Sequence, residues 1–238
     1  MKLEVIGTAQ QVSADLVKGK TVVVIDVLRA TSVMVSALNN GAKGIIPVLS
    51  PDDAFDIKKE NGTDVILGGE RHAEPIEGFD YGNSPLSYNK EVIAGKLLVM
   101  TTTNGTLAIN NSLSAKELLI ASFANDKAIV NEIKNHKDVV LVCSGNNGLY
   151  TLEDALCAGR IIHLLQEQSV ELELTDFALT IESLYEINAT KLHETASKGY
   201  HYNVLKTKGY LKDLEYCFRS GICDNVPHWN GQVIENKS

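Results

Sequence analysis

Three apolar runs of strand character each end in a compact polar loop that leads into a helical pattern, and this repetition constrains the fold of the chain more than any other feature. Val22–Ile25 meets the loop Asp26 to Thr31, Leu97–Met100 meets Thr101 to Thr106, and Val139–Val142 meets Cys143 to Gly148. Short β-branched runs that are apolar at every position suit strands buried on both faces, as in a parallel sheet. Open α/β sheets bind ligands outside the carboxyl ends of their strands, where loop amides and helix N-termini attract anions. The pattern therefore predicts a small anionic ligand.

The order of the remaining segments fills in this scheme. Leu3 to Ala9 reads as a strand. After the Asp26 loop, Val33, Met34, Ala37 and Leu38 fall at helical spacing until Asn39-Asn-Gly41 stops them, and Ile45–Val48 returns as a strand. A short helix over 52–60 and the strand Val65–Leu67 follow, then a Gly-, Pro- and Asn-rich loop over 74–86 of the length used for lids and binding loops. The second unit repeats the first, Ala30 aligning with Gly105 and Thr31 with Thr106. A third unit runs from a helix over 126–135 to a long helix over 152–166. Beyond it the pattern predicts a helix over 176–197, a turn region over 198–208, a helix over 211–218 and a polar tail. The expected fold is α/β: a three-layer α/β/α arrangement with a mostly parallel or mixed sheet and two pseudo-related βα lobes, in one domain over 1–238.

A net charge of −8 argues against nucleic acid and anionic membrane as partners, because both bind clustered Lys and Arg. It does not exclude an anionic substrate, whose binding depends on the local field of its pocket. No apolar run approaches the roughly 18 residues a membrane span needs. The N-terminal residues lack the basic segment and apolar stretch of a secretory signal, which predicts a cytoplasmic address. Cys143, Cys157, Cys217 and Cys223 have no zinc-ligand spacing and are expected as reduced thiols, two or three of them in the core. The sequence leaves a homo-oligomer open.

Asp26 ends a buried strand, where a carboxylate can be a metal ligand, a nucleophile toward phosphorus, or only the N-cap of the next helix. Arg29 offers a planar fork for phosphate or sulfonate oxygens, and Thr31 and Ser32 can donate to them. Glu70 follows Gly68-Gly69, which lets the backbone approach something closely, and Arg71 and His72 come next. Glu153 and Asp154 open the long helix, where one serves the helix dipole and the other can face the loops. Asp26, Glu70, Glu153 and Asp154 together form an oxygen-ligand set suited to Mg²⁺. Thr102, Thr103, Asn104 and Gly105 lie in a donor-rich turn, an anion cradle lacking the lysine of a Walker loop. Cys143 and Ser144 line the third loop, but five residues past Cys143 stands no arginine, so Cys143 is expected as a wall and not a nucleophile. His136, His163, His193 and His201 read as solvated or structural.

In combination Asp26-Val-Leu-Arg-Ala-Thr31, Gly69-Glu-Arg71, Gly82-Asn-Ser-Pro85, Thr101-Thr-Thr-Asn-Gly-Thr106, Cys143-Ser-Gly145 and Leu152-Glu-Asp-Ala155 resemble the 2-phosphosulfolactate phosphatase family over nearly the whole chain. The resemblance implies an Mg²⁺-dependent phosphomonoester hydrolase that converts 2-phospho-3-sulfolactate to 3-sulfolactate and phosphate, a step toward coenzyme M. It implies Asp26, Arg29 and Glu70 as catalytic groups. Arg29, Thr31, Ser32, Arg71, Thr102, Thr103, Asn104, Gly105, Cys143 and Ser144 would contact substrate, and Asp26, Glu70, Glu153 and Asp154 would hold the metal. The alternatives are a phosphatase for another small phosphorylated carboxylic acid and a non-catalytic anion-binding module.

Overall fold

The computed structural model describes residues 1–237. Along the chain, β1 (Lys2–Ile6), α1 (Ala14–Val17), β2 (Thr21–Ile25), α2 (Ala30–Asn39), β3 (Gly44–Pro47), α3 (Pro51–Asn61) and β4 (Val65–Gly69) form the first part. The second comprises α4 (Lys90–Ile93), β5 (Leu97–Thr101), α5 (Gly105–Asn111), β6 (Glu117–Ala121), α6 (Asp126–Ile133) and β7 (Asp138–Cys143). Then come α7 (Leu152–Glu167), β8 (Glu173–Leu174), α8 (Asp176–Asn188), α9 (Leu192–Ala196), α10 (Tyr200–Thr207), α11 (Leu211–Cys217), β9 (Pro227–Trp229) and β10 (Ile234–Asn236).

All ten strands form one mixed, mostly parallel sheet in the order β4-β5-β3-β10-β9-β6-β2-β7-β1-β8. Two parallel blocks, β4-β5-β3 and β6-β2-β7-β1-β8, are joined edge to edge by the antiparallel hairpin β9–β10, through Ile234 opposite Ile45 and Leu119 opposite His228. On either side of that hairpin the order mirrors itself: β5 lies between β3 and β4, and β2 lies between β6 and β7. The two βαβαβ units β2–β4 and β5–β7 have thus exchanged their first strands. Consequently α2 and α5 cross the seam in opposite directions.

Period-two alternation distributes the fully apolar strands between two cores. Val23 and Ile25 of β2 join Leu119 and Ala121 of β6 and Val139 and Leu141 of β7 under α6, α7 and α8. Val22 and Val24 face the other way, with Leu118, Ile120, Val140 and Val142, under Val33, Met34 and Ala37 of α2 and Ala108 and Ile109 of α5. Each such buried aliphatic side chain contributes about 1.5–3 kcal/mol. α3 covers β4 and β5 through Ala54 against Val65, Leu67 and Val99. The three layers follow from this double-sided burial.

Several local features differ from the sequence pattern. The helix expected over 176–197 breaks into α8 and α9, residues 198–208 contain α10 where a turn region was expected, and the polar tail supplies the hairpin β9–β10. All four cysteines are buried free thiols, one or two more than expected in the core. Among the described residues no helix is long and apolar enough to cross a membrane.

Candidate active site

The carboxyl ends of β2, β4 and β5 and the loop after β7 open on one cavity of about 200 Å³. Its lining brings together Asp26, Arg29, Glu70, Thr102, Thr103 and Asn104 with Gly145, Asn146 and Asn147, and adds His72, Asn83, Tyr200 and His201.

Asp26 is fixed by the turn that starts α2. Its N–H donates to Thr31 Oγ1 at 2.8 Å, the same hydroxyl donates back to the Asp26 carbonyl, and carboxylate Oδ1 accepts the Ala30 N–H at 3.0 Å. Arg29, not Asp26, is the N-cap of α2, which corrects the capping alternative; Asp26 Oδ1 instead holds the N–H of the first helical residue from outside the helix, and no hydrogen bond from the described residues engages Oδ2. Burial pushes the Asp26 carboxyl well above its ordinary range, the charges of Asp154 and Glu70 push it further, and the Ala30 N–H and Arg29 oppose them.

Glu70 reaches the cavity because Gly69 lets β4 close onto β5. Gly69 has φ of 144°, and a Cβ there would lie 2.0 Å from the Thr101 carbonyl oxygen. The Glu70 carboxylate then accepts the Thr103 N–H through Oε1 and the Ala73 N–H through Oε2, both at 2.8 Å. Asn104 ties the second and third loops together, its Oδ1 accepting the Asn147 N–H at 2.9 Å. Arg29 is 2 % exposed and is the one Lys or Arg lining the cavity among the described residues.

Other expected site residues lie behind this surface. Thr31 and Ser32 spend their hydroxyls on the carbonyls of Asp26 and Val27. The Arg71 guanidinium points away from the cavity and straps the loop by donating to Glu70 O, Leu49 O and Thr101 Oγ1. Gly105 is fully covered against Asp26 and Ala30. Cys143 is buried, and burial with the charges of Asp154 and Glu153 pushes its thiol well above the ordinary value. Ser144 is buried too, its Oγ without a partner among the described residues.

Glu153 and Asp154 also stand off the cavity. Asp154 supports the two loops from below, Oδ1 accepting the Val27 N–H at 2.8 Å, and Oδ2 accepting the Gly145 N–H at 3.0 Å and the Thr151 hydroxyl at 2.9 Å. Its carboxyl is raised to about 6 by burial, against those hydrogen bonds. Glu153 is raised to about 8 by burial and by Asp154, and its Oε2 is a buried oxygen with no partner among the described residues. No group of three or more His, Cys, Asp or Glu among the described residues is arranged around a common metal position. The four carboxylates thus divide into a cavity pair, Asp26 and Glu70, and a buried pair behind it, of which Asp154 supports the loops.

His201 is not solvated; it keeps the structural half of its reading through a backbone contact, but at the cavity. It is carried to the cavity by α10, and its Nε2 is 2.7 Å from the Leu28 carbonyl oxygen. A carbonyl only accepts, so Nε2 is the protonated nitrogen, and burial lowers the imidazole's affinity for a second proton. Nothing in the local pattern around His201 marks it. Its place depends on packing between segments far apart in the chain.

A family model described as 2-phosphosulpholactate phosphatase matches residues 6–232. Relatives that carry the name "Probable 2-phosphosulfolactate phosphatase" include the following three. One from Clostridium novyi is 45% identical over 231 residues, covering 97% of this chain and 97% of its own length. One from Clostridium acetobutylicum is 43% identical over 236 residues, covering 98% and 100%. One from Caldicellulosiruptor saccharolyticus is 42% identical over 241 residues, covering 99% of each.

Proposed function

The chain belongs to the 2-phosphosulfolactate phosphatase family, and from that premise we propose that it hydrolyses 2-phospho-3-sulfolactate to 3-sulfolactate and phosphate with Mg²⁺ as cofactor. The observation that carries the proposal is the pairing of Asp26 and Glu70, delivered from opposite blocks of the sheet, in one small cavity with Arg29.

The donor set fits a divalent cation. Carboxylates crowd one another at Asp26 with a single arginine to offset them, and Mg²⁺ typically uses one or two carboxylates plus water and substrate oxygens. Asp26 through Oδ2 and Glu70 would hold the ion. When bound it supplies charge neutralisation for the phosphoryl oxygens.

The chain's own groups do the rest. Phosphoryl transfer is catalysed chiefly by positioning and electrostatic stabilisation. Arg29 orients an anionic group of the substrate through guanidinium N–H donors. Thr103 and Asn83, which have a buried Oγ1 and Oδ1 without partners among the described residues, offer neutral contacts. Asp26 acts at phosphorus, either by attacking it or by orienting the water that does. In both cases the ester P–O bond breaks, oxygen from water ends on phosphate, and a proton goes to the departing alkoxide.

Phosphate release from 2-phospho-3-sulfolactate, measured with Mg²⁺ and again with excess chelator, tests the reading. Release abolished by chelator and by Asp26→Asn is expected. Equal rates on 2-phospholactate would remove the sulfonate from the assignment, and trapping of a phosphorylated Asp26 would identify it as nucleophile over water.

A further inference from the structure

We infer that Asp213, in the C-terminal helix α11, is the positioning residue for two groups of the cavity, Arg29 and Asn83; the inference rests on the phosphatase reading of that cavity. Asp213 is itself 4 % exposed and does not line the cavity. Each of its carboxylate oxygens holds something that does, or the neighbour of something that does. Oδ2 accepts Arg29 Nη1 at 2.5 Å, and Oδ1 accepts the Ser84 hydroxyl at 2.7 Å.

The consequence for Arg29 is geometric. A guanidinium is a rigid planar fork, so fixing one nitrogen and one face fixes the directions of all remaining N–H groups. Asp213 fixes the nitrogen, and Tyr210, on the residue before α11, fixes the face: the guanidinium carbon lies 3.9 Å from its ring centroid. An arginine buried at the mouth of α2 without those anchors has several rotamers and no preferred direction for the substrate anion.

The consequence for Asn83 runs through the backbone. Ser84 is the next residue, and its hydroxyl bond to Asp213 pins the 74–86 loop beside Asn83, which lines the cavity and has a buried Oδ1 without a partner among the described residues. Pro85 adds a second tie, its carbonyl accepting the Ser36 hydroxyl at 3.1 Å. One carboxylate thereby sets the spacing between a cationic and a neutral contact on two segments distant in sequence. The C-terminal helices are part of the site by this route.

The test compares D213N and S84A with wild type by steady-state kinetics on 2-phospho-3-sulfolactate and by calorimetric titration with inorganic phosphate. D213N is expected to raise KM at least tenfold and weaken phosphate binding in parallel, and S84A to raise KM severalfold. In an Arg29→Ala background D213N is expected to add no more than the severalfold effect of S84A, because only the route through Ser84 remains. A purely structural Asp213 would instead lower the thermal midpoint and leave KM and phosphate affinity unchanged; that result overturns the inference while wild-type turnover keeps the phosphatase reading. A wild type that neither releases nor binds phosphate overturns both. Should D213N fail to fold, S84A decides the Asn83 half, and Tyr210→Leu, which removes the ring that fixes the Arg29 face, decides the Arg29 half: an unchanged KM in either overturns that half.

Discussion

Gly105 sits directly against Asp26: a Cβ at this position would lie 2.7 Å from Asp26 Oδ2 and 2.4 Å from the Ala30 Cβ. The two helices that cross the seam, α2 and α5, therefore meet nose to nose beneath the cavity, and the absence of a side chain at Gly105 is what leaves Oδ2 room. Gly105→Ala is expected to displace the Asp26 carboxylate, lowering kcat/KM by about a hundredfold or more. Overpacking of this kind costs about 1–3 kcal/mol. Kinetics alongside urea unfolding checks it; a Gly105→Ala enzyme with wild-type kcat/KM would mean that Oδ2 has no part in turnover.

The supporting carboxylates give the metal-free protein a definite pH dependence. Glu153 is raised to about 8 by burial and then by Asp154, and Asp154 to about 6 by burial. Both are raised in the folded state, so the folded chain keeps protons that the unfolded chain releases at the ordinary values of 4.5 and 3.8. The stability these two groups contribute is fully present below that range and is lost as pH rises toward about 8. Glu153→Gln is expected to flatten this slope and to raise stability near pH 8 by about 1–3 kcal/mol. Thermal melts of both proteins in chelator across the window measure it, and a Glu153→Gln advantage over wild type that shrinks as pH rises contradicts the sign.

Cys143 ends β7 beside the site yet is built against thiolate chemistry, since burial and the charges of Asp154 and Glu153 raise its thiol well above the ordinary value. Cys143→Ala should keep kcat within about threefold of wild type, at a stability cost of about 1 kcal/mol for the lost packing. Iodoacetamide should not inactivate the native enzyme. Rapid inactivation protected by phosphate would assign the thiol a role in the cavity.

Asp26, Glu70 and the Thr102–Asn104 turn were legible in sequence because each ends a strand and precedes a helix, and strand ends of a parallel sheet share one edge. The same rule also selects Thr31, Ser32 and Cys143, which obey the spacing but face the turn or the core, and Gly105, which serves the site only by leaving room for Asp26 Oδ2. Arg71 misled because charge suggests a ligand, whereas its guanidinium serves three oxygens of its own chain. Tyr200, His201 and Asp213 carry no local signal at all: they reach the site through the packing of α10 and α11. The exchange of first strands between the two βαβαβ units was equally hidden, since the repeat in sequence fixes which elements correspond but not which strand pairs with which.

That exchange makes the hairpin β9–β10 a structural keystone, and the last prediction follows from it. The blocks β4-β5-β3 and β6-β2-β7-β1-β8 share no ladder of their own; strand-to-strand hydrogen bonding between them runs through three-residue strands near the C-terminus. Ile234 is fully buried at the centre of this bridge, opposite Ile45 on one side and Trp229 on the other. Ile234→Ala should cost about 2–5 kcal/mol by lost burial and the cavity left behind. Because Asp26 and Glu70 stand on opposite blocks, loosening the bridge should also lower activity before the protein unfolds. The observable is the urea dependence of phosphate release against that of circular dichroism: in Ile234→Ala the activity transition should precede the structural one, and coincident transitions would show that α2 and α5 hold the blocks together without the hairpin.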